Sequence, residues 1–300
     1  KEQGKVRDVY HLGTDRLILI ATDRLSAFDR VLTHIPGRGQ ILNLLSAWWF
    51  ERTADIVPNH VVAIPDPNVM VVRLYPRIPI EMVVRGFLTG STDTSIWTRY
   101  TRGEREFGGF VLPERMKKNM PLPYPVVDST TKAEVGHDRK LTEAEILEEK
   151  IVTPLQWQAL KTTALSLFAR GQTLAGQAGL FLVDTKYEFG TDPQTGSIVV
   201  IDEIHTPDSS RFWEAATYPE RFEQGIEPDS YDKEFARLWY TQQGYRGEGT
   251  PPVMPEEMIR QVLERYIIAY ERLTGQSFEV PESNPQERIL MNLGPYVRRS

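Results

Sequence analysis

The alternation of apolar and polar positions is clearest in the stretch VDTKYEFG, residues 183–190. Successive side chains of a β-strand point to opposite faces, so this stretch predicts a strand with one apolar and one charged face. The apolar face contains Phe181, Val183, Tyr187 and Phe189, with Thr185 among them. The charged face carries Asp184, Lys186 and Glu188. Such a row is either a solvated surface, as half-buried antiparallel strands commonly show, or a functional site.

A second apolar run, Ile198–Ile201, follows after one turn and ends abruptly in Asp202 and Glu203. Two strands separated by a turn predict a hairpin over residues 181–204. The hairpin would bring both acids near Glu188, and the register leaves open which of the two shares its face. Neighbouring carboxylates repel unless a cation lies between them, and oxygen ligands without Cys or His suit Mg²⁺. The alternative is a set of salt bridges across the hairpin.

The rest of the pattern predicts an α+β chain with mainly antiparallel sheet. Strands are predicted at KVRDVY, RLILIA, HVVAI, VMVVRLY and IEMVVRGF. Helical spacing of apolar residues predicts helices in QILNLLSAWWFERTAD, in SYDKEFARLWY and from Pro255 to Gly275. Capping-box patterns at Thr142 and Thr153 predict two more helix starts. Residues 103–128 are rich in Gly and Pro and are expected to form loops.

Composition narrows the class of protein. The chain has 300 residues, enough for two lobes, and its net charge of −6 argues against broad binding to nucleic acid or anionic membranes. It has no cysteine, which excludes disulfides, thiolate metal sites and a cysteine nucleophile. No apolar run is long enough to span a membrane and no signal-peptide pattern is visible, so we expect a cytoplasmic protein. We also expect a few residues upstream of Lys1, because the chain opens almost inside a strand pattern.

Two further groups of residues could bind phosphate. Lys5 and Arg7 share a face of the first strand beside Gly4, where they could lie over a polyphosphate, although an exposed strand face is the alternative. Arg85 ends a strand, and Ser91 stands where GFLTGS leads into a helix. Backbone N–H groups at a helix start, a hydroxyl and a guanidinium would together form an anion site. The alternative is that Ser91 only caps the helix.

These segments, taken in order, resemble the phosphoribosylaminoimidazole-succinocarboxamide synthase (SAICAR synthetase) family of purine biosynthesis. The matching stretches lie between residues 4 and 240 and are GKVRDVY, ATDRLSAFD, EMVVRGFLTGS, STTKAE, VDTKYEFG, DEIHTPDSSRFW and SYDKEFARLWY. The resemblance implies a two-lobed, ATP-grasp-like fold. Residues 1–80 would form a β-rich lobe that covers the nucleotide. Residues 81–300 would form an α+β lobe with the substrate and Mg-ATP site and the C-terminal helices.

The resemblance also implies the reaction. An ATP-dependent ligase of this family joins L-aspartate to the carboxylate of CAIR, 5-amino-1-(5-phosphoribosyl)imidazole-4-carboxylate, to give SAICAR, ADP and phosphate. A carboxylate is a poor electrophile, so we expect an acyl phosphate intermediate. Phosphoryl transfer needs positioning and charge neutralisation more than a protein nucleophile. The implied partners are these small molecules, ATP and Mg²⁺; we expect a monomer that binds neither nucleic acid nor membranes.

Residue by residue, the resemblance implies four groups of site residues. The ATP-binding residues are Lys5, Arg7, Lys132 and Glu188. The Mg²⁺ ligands are Glu188 and Asp202. The residues that bind CAIR are Arg85, Ser91 and Arg211. The catalytic residues are Lys186, Asp184 and Asp138. The loop after STTKAE is one residue shorter than is usual in the family and continues with Arg139 and Lys140, so within it the resemblance assigns a role to Asp138 alone.

Two other functions share part of this pattern. A small-molecule kinase of ATP-grasp-like fold would use the same Mg-ATP residues but would release ADP without L-aspartate. A non-catalytic nucleotide-binding module should have lost some of Lys132, Glu188 and Asp202, and all three are present. A structural protein would leave the charges on paired strands unexplained. The pattern therefore favours the ligase.

Overall fold

The computed structural model describes residues 1–131, 139–280 and 285–297. Its strands within these ranges are β1 (Glu2–Gln3), β2 (Arg7–Leu12), β3 (Arg16–Ala21), β4 (Arg24–Ala27), β5 (Arg30–His34), β6 (Val61–Asp66), β7 (Val69–Arg73), β8 (Arg77–Leu88), β9 (Glu106–Phe107), β10 (Phe110–Val111), β11 (Met120–Val127), β12 (Thr130–Thr131), β13 (Leu180–Thr191), β14 (Ile198–Ile201) and β15 (Ser210–Glu214). Its helices within the same ranges are α1 (Arg38–Arg52), α2 (Ile96–Thr101), α3 (Glu143–Glu148), α4 (Pro154–Gln177), α5 (Tyr218–Glu223), α6 (Glu234–Gln242), α7 (Glu256–Thr274) and α8 (Pro285–Val297).

Two large antiparallel sheets organise the chain. The first has the strand order β1-β2-β3-β7-β6 and is built from the N-terminal part of the sequence. The second has the order β11-β8-β13-β14, with β12 also pairing with β8 and β15 with β13. The pairs β4-β5 and β9-β10 form two small ribbons. The predicted α+β class with mainly antiparallel sheet is confirmed, whereas the boundary between lobes at residue 80 stays a prediction.

The hairpin predicted over residues 181–204 is present as β13 and β14, with Glu188 opposite Ile201. Strand β13 is buried on both faces, since Tyr187 is 0% exposed and Asp184 and Glu188 are 5% and 7% exposed. Helix α4 packs on the apolar face. The charged row is therefore not a solvated surface.

Local rules place the helix ends as expected. Thr142 and Thr153 each accept a hydrogen bond from the backbone N–H three residues on, and each capping box is complete. Helix α7 begins after Pro255 and ends at Gly275, whose φ of +72° is the left-handed conformation that glycine adopts without strain. These boundaries confirm the predicted helices.

The main core lies between the second sheet and the helices α1, α4 and α7. Its largest fully buried side chains include Trp49, Phe168, Tyr187 and Tyr266. Trp49 lies in this core, whereas its neighbour Trp48 is only partly buried. This continuous core supports β8 and β13 from behind and so positions the charged residues on their other face.

Two features differ from the sequence-based expectation. Residues 103–128 were expected to form loops, but they contain β9, β10 and β11. Strand β11 has the sequence MPLPYPVV and lies at the edge of its sheet, where proline, which lacks an N–H donor, is tolerated. The chain also continues after α7 into α8, whose Ile289 and Leu293 pack on the first sheet. A proline at the helix start and a four-residue apolar spacing are the patterns that could have revealed this helix.

Candidate active site

The charged row of β13 lies beside charged residues of both neighbouring strands. Glu188 is paired opposite Glu81 of β8. Asp184 is paired opposite Arg85 of β8 on one side and Arg211 of β15 on the other. Directly opposite residues of an antiparallel pair share a face. Charged side chains from three strands therefore form one layer on the second sheet.

One end of this layer is rich in carboxylates. Lys186 donates a hydrogen bond to Glu81 at 2.8 Å. Arg7, which comes from β2 of the first sheet, forms ion pairs with Asp202 and, at 2.8 Å, with Glu203. Burial disfavours the charged forms of Arg7 and Lys186, but the neighbouring carboxylates outweigh it and raise the pKa of both groups. Both side chains therefore remain cations at neutral pH.

Asp202 breaks the strand alternation. Strand β14 ends at Ile201, and Asp202 adopts a left-handed backbone conformation with φ of +67°. Because this conformation turns the chain, side chains beyond Ile201 no longer alternate as they would in a strand. Arg7 consequently contacts both Asp202 and Glu203. Strand register alone therefore could not determine which of these two acids lies on the same face as Glu188.

The other end of the layer is rich in arginine. Arg85 donates from Nε to Asp128 at 2.8 Å and from Nη1 to Asp184 at 3.4 Å. Arg211 donates to Asp184 as well, and its Nη2 lies 3.5 Å from Glu234. Asp184 therefore joins two of the predicted substrate-binding residues.

Ser91 reaches the same cluster by a different route from the one predicted. Helix α2 begins at Ile96 and is capped by Ser95, whose hydroxyl accepts from the backbone N–H of Thr98 at 3.3 Å. Ser91 therefore lies before the helix, so the predicted helix start at Ser91 and its alternative role as the cap are wrong, whereas its role in substrate binding stays a prediction. Its hydroxyl instead donates to Glu234 at 2.5 Å, the acid that Arg211 also contacts.

Glu234 also connects the cluster to α6. The sequence predicted this helix but gave no role to its polar residues. It pairs with Arg237 one turn along the helix. Burial disfavours the Glu234 carboxylate, but Arg211 and Arg237 outweigh it and lower its pKa to about 2. Lys233 and Arg237 of the same segment line a cavity over the charged layer. Their spacing of four residues, which puts both on one helix face, was the pattern that could have found them.

A cavity of about 150 Å³ opens over the layer. Of the predicted site residues it is lined by Arg85, Asp184, Lys186 and Arg211. The additional charged residues in its wall are Asp208, Asp232, Lys233, Glu234 and Arg237. The cavity thus presents cations and carboxylates in close alternation, which suits a ligand that carries several anionic groups and hydrogen-bonding groups.

Of the three remaining predicted residues, one lies away from this layer and two have no described position. Lys5 pairs with Asp29 at 2.5 Å, and both side chains are more than half exposed. Lys132 and Asp138 lie outside the described residues. The structure therefore gives no position for two of the residues that the resemblance assigned.

The predicted Mg²⁺ ligands have suitable chemistry. Glu188 and Asp202 both act electrostatically on Arg7 and on Lys186, which places them at one end of the layer. Within the described residues, no group of three or more His, Asp or Glu side chains has the arrangement of a metal site. Two carboxylates are the usual protein share for a Mg²⁺ that takes its other ligands from phosphates and water. The residues present therefore fit such an ion.

None of the helices in the described parts of the chain combines the length and the apolar character needed to cross a membrane.

Known proteins similar to this chain identify its family. The family model described as SAICAR synthetase matches residues 1–252. The phosphoribosylaminoimidazole-succinocarboxamide synthase of Legionella pneumophila (strain Paris) is 51% identical over 298 residues, which are 98% of this chain and 94% of that protein. The enzyme of the same name from Bacteroides fragilis (strain YCH46) is 45% identical over 301 residues, covering 99% of this chain and 94% of that protein.

Solved structures of SAICAR synthetases have the same fold as this chain. The SAICAR synthase from Saccharomyces cerevisiae in complex with SAICAR has a TM-score of 0.80 and 32% identity, and the match covers 93% of this chain and 95% of that one. A SAICAR synthetase (type 2) in complex with ADP has a TM-score of 0.71 at 23% identity, which shows a common fold. The described fold is that of the SAICAR synthetases, and the chain is an ATP-dependent carbon–nitrogen ligase. The chain belongs to the SAICAR synthetase family, and its predicted place in purine biosynthesis is confirmed.

Proposed function

We propose that the charged layer binds Mg-ATP at its carboxylate-rich end and CAIR at its arginine-rich end, so that L-aspartate is joined to the CAIR carboxylate. One observation carries the proposal: a single strand, β13, presents Asp184, Lys186 and Glu188 on one buried face. Four strand residues span about 13 Å, so the two ends lie near enough for bound substrates to meet between them.

Glu188 and Asp202 would hold Mg²⁺, which, when bound, neutralises charge on the phosphates and so favours phosphoryl transfer. Arg7 would contact the phosphates from the first sheet. Its raised pKa keeps it charged at any working pH. Lys5 and Lys132 are assigned to ATP by the resemblance, and residues 1–80 would form the lobe that covers the nucleotide.

Arg85, Ser91 and Arg211 would bind CAIR, mainly through its phosphate and carboxylate. Arginine suits such anions because its planar donors form paired hydrogen bonds with them. Both guanidinium groups are already held by Asp184. Their preorganisation lowers the cost of ordering side chains when the substrate binds.

The chemistry then follows in two steps. An oxygen of the CAIR carboxylate attacks the γ-phosphorus of ATP, the bond to the β–γ bridging oxygen breaks, and ADP leaves. The nitrogen of L-aspartate next attacks the carbonyl carbon of the acyl phosphate, and the C–O bond breaks to release phosphate. Lys186 would offset charge where the two anionic substrates approach. The proton of the aspartate ammonium would go to Asp138 or to a phosphate oxygen of the substrate.

The test is an assay of ADP and SAICAR with ATP, Mg²⁺ and CAIR, in the presence and absence of L-aspartate. We expect equal amounts of ADP and SAICAR, with sustained turnover only when L-aspartate is present. Undiminished ADP release without L-aspartate would instead favour a kinase. Absence of turnover with all substrates would refute the proposed function.

A further inference from the structure

Asp128 lies directly after β11 and is contacted by three basic side chains. Its carboxylate accepts from Arg85 Nε at 2.8 Å and from Arg99 Nη1 at 2.7 Å, and it forms an ion pair with Lys140 at 2.5 Å. The residue is 6% exposed. Its backbone N–H donates to the carbonyl of Val83 at 2.7 Å, so the main chain that carries it is tied to β8. Neither the family resemblance nor the sequence pattern assigned Asp128 a role.

The contact with Arg85 has a particular geometry. Asp128 holds Nε of the guanidinium, and Asp184 holds Nη1 at the longer distance of 3.4 Å. Among the described residues, no hydrogen bond uses Nη2. Two carboxylates on different edges thus fix the guanidinium plane while leaving one of its nitrogens for a ligand.

Asp184 cannot replace Asp128 in this task. It already accepts a hydrogen bond from Arg211, so it is shared between two arginines. Without the Asp128 carboxylate, Arg85 would keep only the longer of its two bonds among the described residues. It would also lie beside the cation Arg99 and the basic side chain of Lys140, with the buried negative charge between them removed.

Charge at Asp128 is maintained despite its burial. Burial alone would favour the neutral acid, but Arg85, Lys140 and Arg99 outweigh it and hold the pKa of Asp128 well below its ordinary value. The carboxylate is therefore ionised throughout the pH range in which the enzyme would be assayed.

We propose that Asp128 is a positioning residue for CAIR binding: it fixes the plane of the Arg85 guanidinium in the cavity that Arg85 lines. The inference rests on the proposed role of Arg85 in CAIR binding. If this inference is right, removing the Asp128 carboxylate should weaken the binding of CAIR without an equal change in kcat.

The experiment compares steady-state kinetics of Asp128→Asn with those of the wild-type chain. The substitution keeps the shape of the side chain and removes its charge. We expect the CAIR KM to rise about tenfold to a hundredfold, as loss of a charged hydrogen bond predicts, with the ATP KM and kcat changed less than about twofold. Asp66→Asn is the matched control, because Asp66 is also buried and holds Arg288 Nε at 2.9 Å. It should lower thermal stability and leave the CAIR KM unchanged.

A double-mutant cycle separates positioning from a general structural role. If Asp128 acts through Arg85, then adding Asp128→Asn to Arg85→Lys should raise the CAIR KM much less than it does in the wild-type background. Additive effects would overturn the inference. So would a folded Asp128→Asn variant with an unchanged CAIR KM, or one whose ATP KM rises equally.

Two further arms keep the test decisive. If Asp128→Asn does not fold, Asp128→Glu retains the charge and displaces it by one methylene; the CAIR KM should still rise, and an unchanged value would overturn the inference. A wild-type chain that makes no SAICAR would refute the proposed function itself. A wild-type chain that makes SAICAR and responds to Arg85→Lys but not to Asp128→Asn would refute only the positioning role.

Discussion

Arg7 and Asp202 are separated by 195 positions in the sequence, and the guanidinium of the first donates to the carboxylate of the second. This pair joins β2 of the first sheet to the residue that follows β14 of the second. The left-handed backbone at Asp202, together with the second contact from Arg7 to Glu203 at 2.8 Å, sets the geometry of the carboxylate-rich end. The proposed Mg-ATP site therefore depends on both sheets.

The first prediction concerns Glu188. Glu188→Gln should lower kcat for SAICAR formation about a hundredfold or more while leaving the fold intact, because the amide removes a negative charge from the proposed Mg²⁺ site. The measurement is turnover at increasing Mg²⁺ concentration, with circular dichroism as the check of folding. Glu257→Gln, which changes an exposed acid on α7, should behave like the wild-type chain. Normal turnover of Glu188→Gln with ordinary Mg²⁺ dependence would rule out the assignment.

The second prediction concerns Arg211. Arg211→Ala should raise the CAIR KM about tenfold to a hundredfold, since a charged hydrogen bond is worth roughly 1.5–3 kcal/mol. The ATP KM should barely change. Arg170→Ala removes a partly exposed arginine that pairs with Asp55 at 2.7 Å and serves as the control. Equal losses for both substrates would mean that Arg211 is structural or is shared by the two sites.

The third prediction is a dependence of stability on pH. Burial and the nearby Arg85 outweigh the attraction of Asp128 and lower the pKa of Lys140 to about 7. In the unfolded chain a lysine titrates at about 10.4. Between these values the unfolded chain binds more protons than the folded one, so this group increases the free energy of unfolding as the pH rises.

Lys140→Met removes that contribution. The free energy of unfolding of the wild-type chain, relative to the variant, should therefore rise by up to about 1.4 kcal/mol per pH unit above pH 7. Urea denaturation of both proteins at pH 7, 8 and 9 measures the difference. A difference that stays constant over this range would show that Lys140 remains protonated in the folded protein.

The fourth prediction concerns the order of the chemistry. CAIR labelled with ¹⁸O in its carboxylate should transfer one labelled oxygen to each inorganic phosphate, because the acyl phosphate breaks at the carbon–oxygen bond. Mass spectrometry of the phosphate released during turnover with L-aspartate provides the measurement. Unlabelled phosphate, with all the label kept in CAIR and SAICAR, would exclude the acyl phosphate route.

Much of the local structure is predictable because it depends on neighbouring residues. The capping boxes at Thr142 and Thr153 and the helix end at Gly275 follow from hydrogen bonds and backbone preferences within one turn. The charged row on β13 follows from the two-residue period of a strand. The edge strand β11 was missed for the same reason, since a local reading of its prolines favours a loop and its tolerance of them depends on its position in the sheet.

By itself the sequence determined the antiparallel α+β class, the capped starts of α3 and α4, the bounds of α7 and the charged face of β13. Only the tertiary structure decided which charges meet. Ser91 donates a hydrogen bond to Glu234, which lies 143 positions further along the sequence. Arg85 lies between Asp128 and Asp184. Such pairs form because distant strands are brought into register on a shared core, and the energy that aligns them comes from burial of apolar side chains behind the sheet. The alternation of residues along a strand predicts the face on which a charged side chain lies. Its ion-pair partner depends on how distant segments of the chain pack together.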